Sequence, residues 1–80
     1  MTETEILKKR AEVYNREDIY ACITTNEKKY YHGFILEIKE DCIILRDRKF
    51  GRFPIPFLDI EYISPSEQKP SKEELEERKK

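Results

Sequence analysis

Basic and aromatic side chains alternate in one short stretch near the middle of the chain. Six such residues fall between positions 46 and 53, and a single acid, Asp47, opposes them: Arg46, Arg48, Lys49, Phe50, Arg52 and Phe53. Arginine and lysine suit contacts with phosphate, and an aromatic ring can stack on a base. The stretch therefore predicts a contact surface for a nucleic-acid strand. The alternative is a solvated loop whose phenylalanines fold back into the core.

A second group of suitable side chains comes earlier: Lys28, Lys29, Tyr30, Tyr31 and His32. In a strand, Tyr30 and His32 share one face, and Tyr31 points to the other. The shared face would offer a stacking surface for bases. The alternative is that Tyr31 helps to plug the barrel and the other residues line its rim. Tyrosine is also common in protein interfaces, so this group does not by itself distinguish RNA from a protein partner.

Side chains suited to catalysis or metal binding are sparse. His32 is the only histidine, and no Ser, Cys or acid at motif spacing marks it as a base. Cys22, His32 and Cys42 are too few and too far apart in the sequence to predict a zinc site. The two glycines are too sparse for a phosphate-binding loop. We therefore expect a protein that is not an enzyme and that holds no metal or cofactor.

The composition limits the class of partner. The 80 residues include 16 Lys and Arg and 17 Asp and Glu, which gives a net charge of −1. This balance argues against a general polyanion binder, so any RNA contact must be local. Polar and acidic residues follow Met1, and no apolar run is long enough to span a membrane. We expect a soluble cytoplasmic protein without membrane contact, in which Cys22 and Cys42 are free thiols.

Short β-rich runs separated by charged turns must position these residues. The predicted strands cover residues 19–25, 29–38, 42–47, 53–57 and 60–64. Thr2 or Thr4 caps a preceding helix, which ends near Asn15. Gly33, inside the longest run, permits a sharp bend or a close backbone approach. Residues 1–65 are thus predicted to form one mainly β domain, a small, strongly bent, five-stranded antiparallel barrel of SH3-like type with an N-terminal helix.

Residues 66–80 read as a charged, solvated tail. Ser71 and Glu74 fit a second capping box, which would begin a helix with Leu75 as its apolar anchor. One apolar residue cannot hold a helix on a core, so we expect the tail to be loosely ordered and only partly helical.

The chain between positions 4 and 65 resembles the Sm-like family, which includes the Lsm proteins and bacterial Hfq. The shared pattern is a strand-two glycine, an apolar residue two places later, a charged turn and alternating aliphatics: Gly33, Ile35, Lys39-Glu40-Asp41, Ile43 and Leu45. The closing Ile60-Glu61-Tyr62-Ile63-Ser64-Pro65 is similar to the last strand of that family. The resemblance implies a small barrel, non-enzymatic RNA binding, and rings closed by pairing strand four of one copy with strand five of the next.

The uridine-binding residues of that family are not matched. Sm proteins hold a uracil with an Asp and an Asn around the turn between strands two and three, where this chain has Lys39-Glu40-Asp41-Cys42. Hfq has an aromatic residue in that turn and a Lys-His pair near strand five, where Asp41 and Phe57-Leu58 stand here. We therefore expect RNA contacts mainly through the basic loop between strands three and four, residues 46–52. The alternative is a protein-interaction or assembly module that binds no nucleic acid.

Two alternating prolines bear on assembly. Pro54 and Pro56 lie two residues apart in predicted strand four, so they remove two N–H donors from the same edge. The other edge, served by Phe53, Ile55 and Phe57, stays able to pair with strand three. We expect a ring of the family type to be weakened or absent, which leaves a monomer or a small oligomer.

Overall fold

The computed structural model describes residues 2–47, 50–70 and 72–78. Within these residues the chain forms two helices, five antiparallel strands in one sheet and a 3₁₀ turn. The bounds are α1 (Glu3–Arg16), β1 (Ala21–Thr25), β2 (Tyr30–Ile38), β3 (Cys42–Asp47), β4 (Gly51–Pro56), the 3₁₀ turn (Phe57–Asp59), β5 (Ile60–Pro65) and α2 (Lys72–Arg78). The predicted mainly β fold and the predicted order of elements are confirmed, and no strand boundary differs from its prediction by more than two residues.

Helix α1 is fixed at both ends by polar side chains. Thr2 Oγ1 accepts a hydrogen bond from the Glu5 N–H at 3.2 Å, which confirms the predicted cap. At the other end, Asn15 Nδ2 donates to the Ile35 carbonyl at 2.7 Å and to the Leu36 carbonyl at 3.2 Å. The β2–β3 register shifts at this point, so Asn15 ties the end of the helix to a β-bulge.

The sheet curls around its core. Its strand order is β4-β3-β2-β1-β5, so β4 and β5 lie at opposite edges. Only the three residues of the 3₁₀ turn separate these two strands in the chain, and so short a link requires the edges to come near each other. Helix α1 packs on β2 and β5. The inner face is closely filled, and its fully buried large side chains are Ile23, Ile43, Leu45 and Ile63.

The sheet is nevertheless not closed, so the predicted barrel is corrected to an open, curled sheet for the residues that the structure describes. The backbone of β4 supplies a reason. The Phe57 N–H donates to the carbonyl of Asp41 at 3.0 Å. Asp41 directly precedes β3, so the N–H of Phe57 points toward β3. Residues two apart face the same neighbour, so Ile55 also faces β3, and Pro54 and Pro56 lie on the outward edge. Because proline has no N–H, β4 has no donor at these positions with which to pair with β5 and close the sheet into a barrel.

Gly33 lies where the backbone of β3 leaves no room for a side chain on β2. A Cβ atom at this position would lie 2.0 Å from the Arg46 carbonyl oxygen and 2.7 Å from its carbon. These are backbone atoms of a paired strand and cannot rotate away, so the position requires glycine. Of the two predicted reasons for this glycine, the structure supports the close backbone approach.

The chain after β5 turns back over the sheet. Helix α2 contacts β2, and Leu75 is half-buried. The cap expected at Ser71 lies outside the described residues. In the part of the chain that the structure describes, neither helix has the length and the apolarity needed to cross a lipid bilayer.

Candidate nucleic-acid interface

The sheet face that points away from the core carries several of the predicted contact residues, and we call it the outer face. The strand register sets Tyr30 of β2 and Tyr62 of β5 directly opposite Thr24 of β1, one on each side. Two residues further along β2, His32 stands opposite Cys22 of β1. Because directly opposite residues present their side chains on the same face, these side chains form two neighbouring rows on the outer face.

The two tyrosines enclose a buried hydroxyl. Tyr30 is 60% exposed and Tyr62 is 48% exposed, whereas Thr24 between them is only 2% exposed. The Thr24 Oγ1 atom has no hydrogen-bond partner within the described residues. A buried polar group without a partner costs about 1–3 kcal/mol. Within the described residues, the fold therefore leaves an unsatisfied hydroxyl beneath the surface, between two strands that carry exposed tyrosines.

Two arginines from the predicted basic stretch lie on the same face. Arg46 of β3 stands opposite Phe34 of β2 and opposite Arg52 of β4. Phe34 is two residues from His32 in β2, so all four side chains point to the outer face. Arg46 is half-buried, and its Nη1 donates to the Asp47 carbonyl at 2.7 Å, while Arg52 is exposed. The two groups that were separate in the sequence thus lie on one face of the sheet, and Phe34 between them is only 4% exposed because it is covered by other parts of the chain.

The phenylalanines of the basic stretch lie elsewhere. Asp47 Oδ2 accepts the Phe50 N–H at 3.1 Å, so the one opposing acid shapes the turn between β3 and β4. Phe50 packs edge-on against Phe53 with 6.1 Å between ring centroids, and Phe53 packs likewise on Tyr31 at 5.2 Å. Phe53 and Tyr31 pack against the core, while Phe50 is 68% exposed. Of these three rings, Phe50 is therefore the most accessible to a ligand.

The predicted lysine contacts have acidic neighbours. Lys28 Nζ lies 2.7 and 2.9 Å from the two carboxylate oxygens of Glu61, and the hydrogen bond to this carboxylate raises the pKa of Lys28. Lys29 Nζ lies 3.7 Å from a Glu27 oxygen. The tyrosine end of the outer face is consequently close to neutral. The remaining predicted cations lie outside the described residues: Arg48 and Lys49.

His32 is anchored to the start of the tail. Its Nδ1 lies 2.8 Å from Ser66 Oγ. Ser66 is itself held in place, because its N–H donates to the Tyr20 carbonyl at 2.8 Å and its Oγ accepts the Gln68 N–H at 3.1 Å. This linkage fixes the imidazole on the outer face and joins β2 to the segment after β5.

Sequence reasoning misses Tyr62 and Thr24 as candidate contacts. For Tyr62 a signal exists, because it is adjacent to the inward-facing Ile63 and must point the other way in a strand. For Thr24 no local signal exists. Its position between two tyrosines follows only from the pairing of β1 with both β2 and β5.

A second concave surface lies between α1, the 3₁₀ turn and the outer edge of β5. This groove has a volume of about 490 Å³. The exposed apolar side chains Ile6, Leu58 and Tyr62 line it. At its floor, Arg10 Nη1 donates to the Ile63 carbonyl at 3.2 Å. Tyr62 thus borders both the groove and the outer face.

Among the described residues, no group of three His, Cys, Asp or Glu side chains is arranged to hold a metal ion. Cys22 and Cys42 are free thiols, as predicted. A scan against protein-family models found no matching family, and a search of curated proteins found no similar protein. Function must therefore be inferred from the surfaces themselves.

Proposed function

We propose that this protein is a non-enzymatic RNA-binding module of Sm-like type, which binds a single strand across its outer face. The observation that carries the proposal is the pair of exposed tyrosines on either side of the buried Thr24 hydroxyl. Exposed aromatic rings on a sheet are stacking platforms for unpaired bases. The N-terminal helix and five-stranded curled sheet support the Sm-like resemblance at the level of fold only.

The charges on the outer face favour a defined path for the strand. The row of Arg46 and Arg52 is four residues along β2 from the row of Tyr30, which corresponds to about 14 Å. The arginines and the basic loop would contact phosphates at one end, while the tyrosines stack bases at the other. The near-neutral tyrosine end implies that stacking, rather than charge, provides the affinity there.

The test measures RNA binding by fluorescence anisotropy with short labelled homopolymers at low salt. Tyr30→Ala and Tyr62→Ala should each weaken binding about 5- to 150-fold, because a stacked base contributes about 1–3 kcal/mol. Tyr30→Phe and Tyr62→Phe keep the rings and serve as matched controls, for which we expect affinity close to that of the parent. A parent protein that binds none of the homopolymers would refute the proposal.

A protein-interaction or assembly module is the second candidate function. The groove between α1 and β5 favours it, because its exposed apolar side chains Ile6 and Leu58 lie off the outer face. The two functions are separable by Leu58→Ser. RNA binding that survives this change identifies distinct surfaces, whereas a protein that binds no RNA yet associates through Leu58 supports the second function alone.

A further inference from the structure

The groove between α1 and β5 is lined by most of the exposed large apolar side chains that the structure describes. Among the described residues, five large apolar side chains are exposed, and three of them line this groove: Ile6 at 49%, Leu58 at 82% and Tyr62 at 48%. A cluster of this kind on a small protein marks an interaction site, whereas scattered apolar residues do not. We propose that the groove joins two copies of this chain around a two-fold axis.

Strand pairing is a poor route to association for this sheet. The outward edge of β4 has Pro54 and Pro56, which offer no N–H. The edge of β5 is also blunted, because the β1–β5 register shifts between Tyr62 and Ile60 and because Arg10 already donates to the Ile63 carbonyl. Bulges, prolines and charged side chains all protect sheet edges from pairing. Contact between copies must therefore come from side chains, and the groove is where the apolar ones are.

The charges on α1 identify the partner as a second copy. Glu3, Ile6 and Arg10 are three and four residues apart, so they form one stripe along the helix, and all three line the groove. If two α1 helices pack antiparallel about a point between Ile6 and Leu7, which both line the groove, Glu3 of each copy lies opposite Arg10 of the other. The apolar centre is then flanked by two equivalent ion pairs, which is the self-complementarity that a two-fold interface requires. Arg10 can serve this contact because its bond to the Ile63 carbonyl uses one of five guanidinium donors.

Leu58 supplies the shape that matches the groove. It follows Phe57 in the 3₁₀ turn, lines the groove, and at 82% is the most exposed of the large apolar side chains described. A self-complementary surface needs both a projection and a hollow. In the two-fold arrangement, Leu58 of each copy enters the groove of the other, which is large enough to hold a leucine side chain.

The test uses charge reversal and mixing, read by light scattering behind a sizing column. The parent should be a dimer at tens of micromolar. Glu3→Arg and Arg10→Glu should each be monomeric at that concentration, because each homodimer would contain two like-charged pairs. An equimolar mixture of the two variants should form a heterodimer, since both pairs are then of opposite sign. A structural effect on one chain would not be rescued by a second chain.

Matched controls lie on the same helix outside the groove. Glu5→Arg and Lys9→Glu make the same charge changes at exposed positions that do not line it, and both should remain dimeric. A monomeric parent at about 200 μM (roughly two hundred times a micromolar Kd), a hexameric or heptameric ring, or a mixture that stays monomeric would overturn the proposal. None of these readouts involves RNA, so the result is independent of the proposed RNA binding.

Discussion

At position 33 the fold has no room for any side chain larger than that of glycine. In Gly33→Ala the new methyl group would meet the Arg46 carbonyl oxygen at 2.0 Å, so β2 and β3 would have to separate. We expect the free energy of unfolding to fall by about 3 kcal/mol, the upper range for overpacking. The measurement is urea denaturation followed by circular dichroism.

Gly51→Ala is the matched control for this prediction. Gly51 has a φ of +73°, and among the described residues other than its two chain neighbours no atom lies within 4 Å of the place that a Cβ would occupy. The substitution therefore introduces backbone strain without a clash, which costs about 1–2 kcal/mol. Equal losses for the two variants would mean that steric exclusion is not the reason for glycine at position 33.

The contact between Lys28 and Glu61 reduces the value of Lys28 as a predicted phosphate contact. The pKa of Lys28 is raised because it donates to Glu61, so the folded state holds this proton more tightly than the unfolded state, whose lysine titrates near 10.5. The pair therefore favours folding below that pH and loses its effect above it. At neutral pH the charge of Lys28 is matched by that of Glu61, so this lysine adds little net attraction for phosphate.

Among the secondary-structure elements, those with local signals were predictable. Alternation of apolar residues and charged turns defines the five strands, and Thr2 with Glu5 defines the start of α1, because each pattern lies within a few residues. Closure of the sheet is not local, since it depends on whether β4 and β5 can exchange hydrogen bonds. Pro54 and Pro56, which predict a weakened contact between copies, also leave the seam open within one copy.

Helix α2 has a single apolar anchor, Leu75, so we expect it to contribute little to the stability of the fold. It contacts β2 through a short segment in which Leu75 is half-buried. Burial of half a leucine is worth about 1 kcal/mol, and part of this is offset by the entropy of ordering the tail. Truncation after Ser66 should therefore lower the melting temperature by about 5 °C or less.

Truncation after Pro65 is the comparison for this prediction. It removes one more residue, and with it the contact from Ser66 Oγ to His32 and the Ser66 N–H bond to the Tyr20 carbonyl. We expect a clearly larger fall in melting temperature, since each lost hydrogen bond contributes about 1 kcal/mol. A large fall for both truncations alike would show that α2 itself stabilises the sheet.

At the scale of the whole molecule, the outer face could be predicted only in part. Tyr30 and His32 are predictable as neighbours because they alternate along one strand. Arg46, Arg52 and Tyr62 lie on the same face as these two residues only because of the order in which the strands pair in the sheet. A local sequence pattern does not encode that order. The groove is harder still to predict, because it combines helix α1 with the 3₁₀ turn and the last strand, which come far later in the sequence.

The balance of charge over the whole molecule makes salt dependence a sharp test of where RNA binds. With a net charge of −1, the protein has no general attraction for a polyanion, so the slope of affinity against salt must come from a few local cations. Changing Arg48, Lys49 and Arg52 to Ala should weaken RNA binding. It should also reduce the slope of log K against log salt by about 2, since each phosphate contact on a single strand contributes about 0.7. The control removes three cations from α1 by changing Lys8, Lys9 and Arg16 to Ala, which alters the net charge equally and should leave the slope nearly unchanged. Equal reductions for both variants would indicate a diffuse electrostatic attraction, and an unchanged slope for the first would place the bound RNA away from the basic turn.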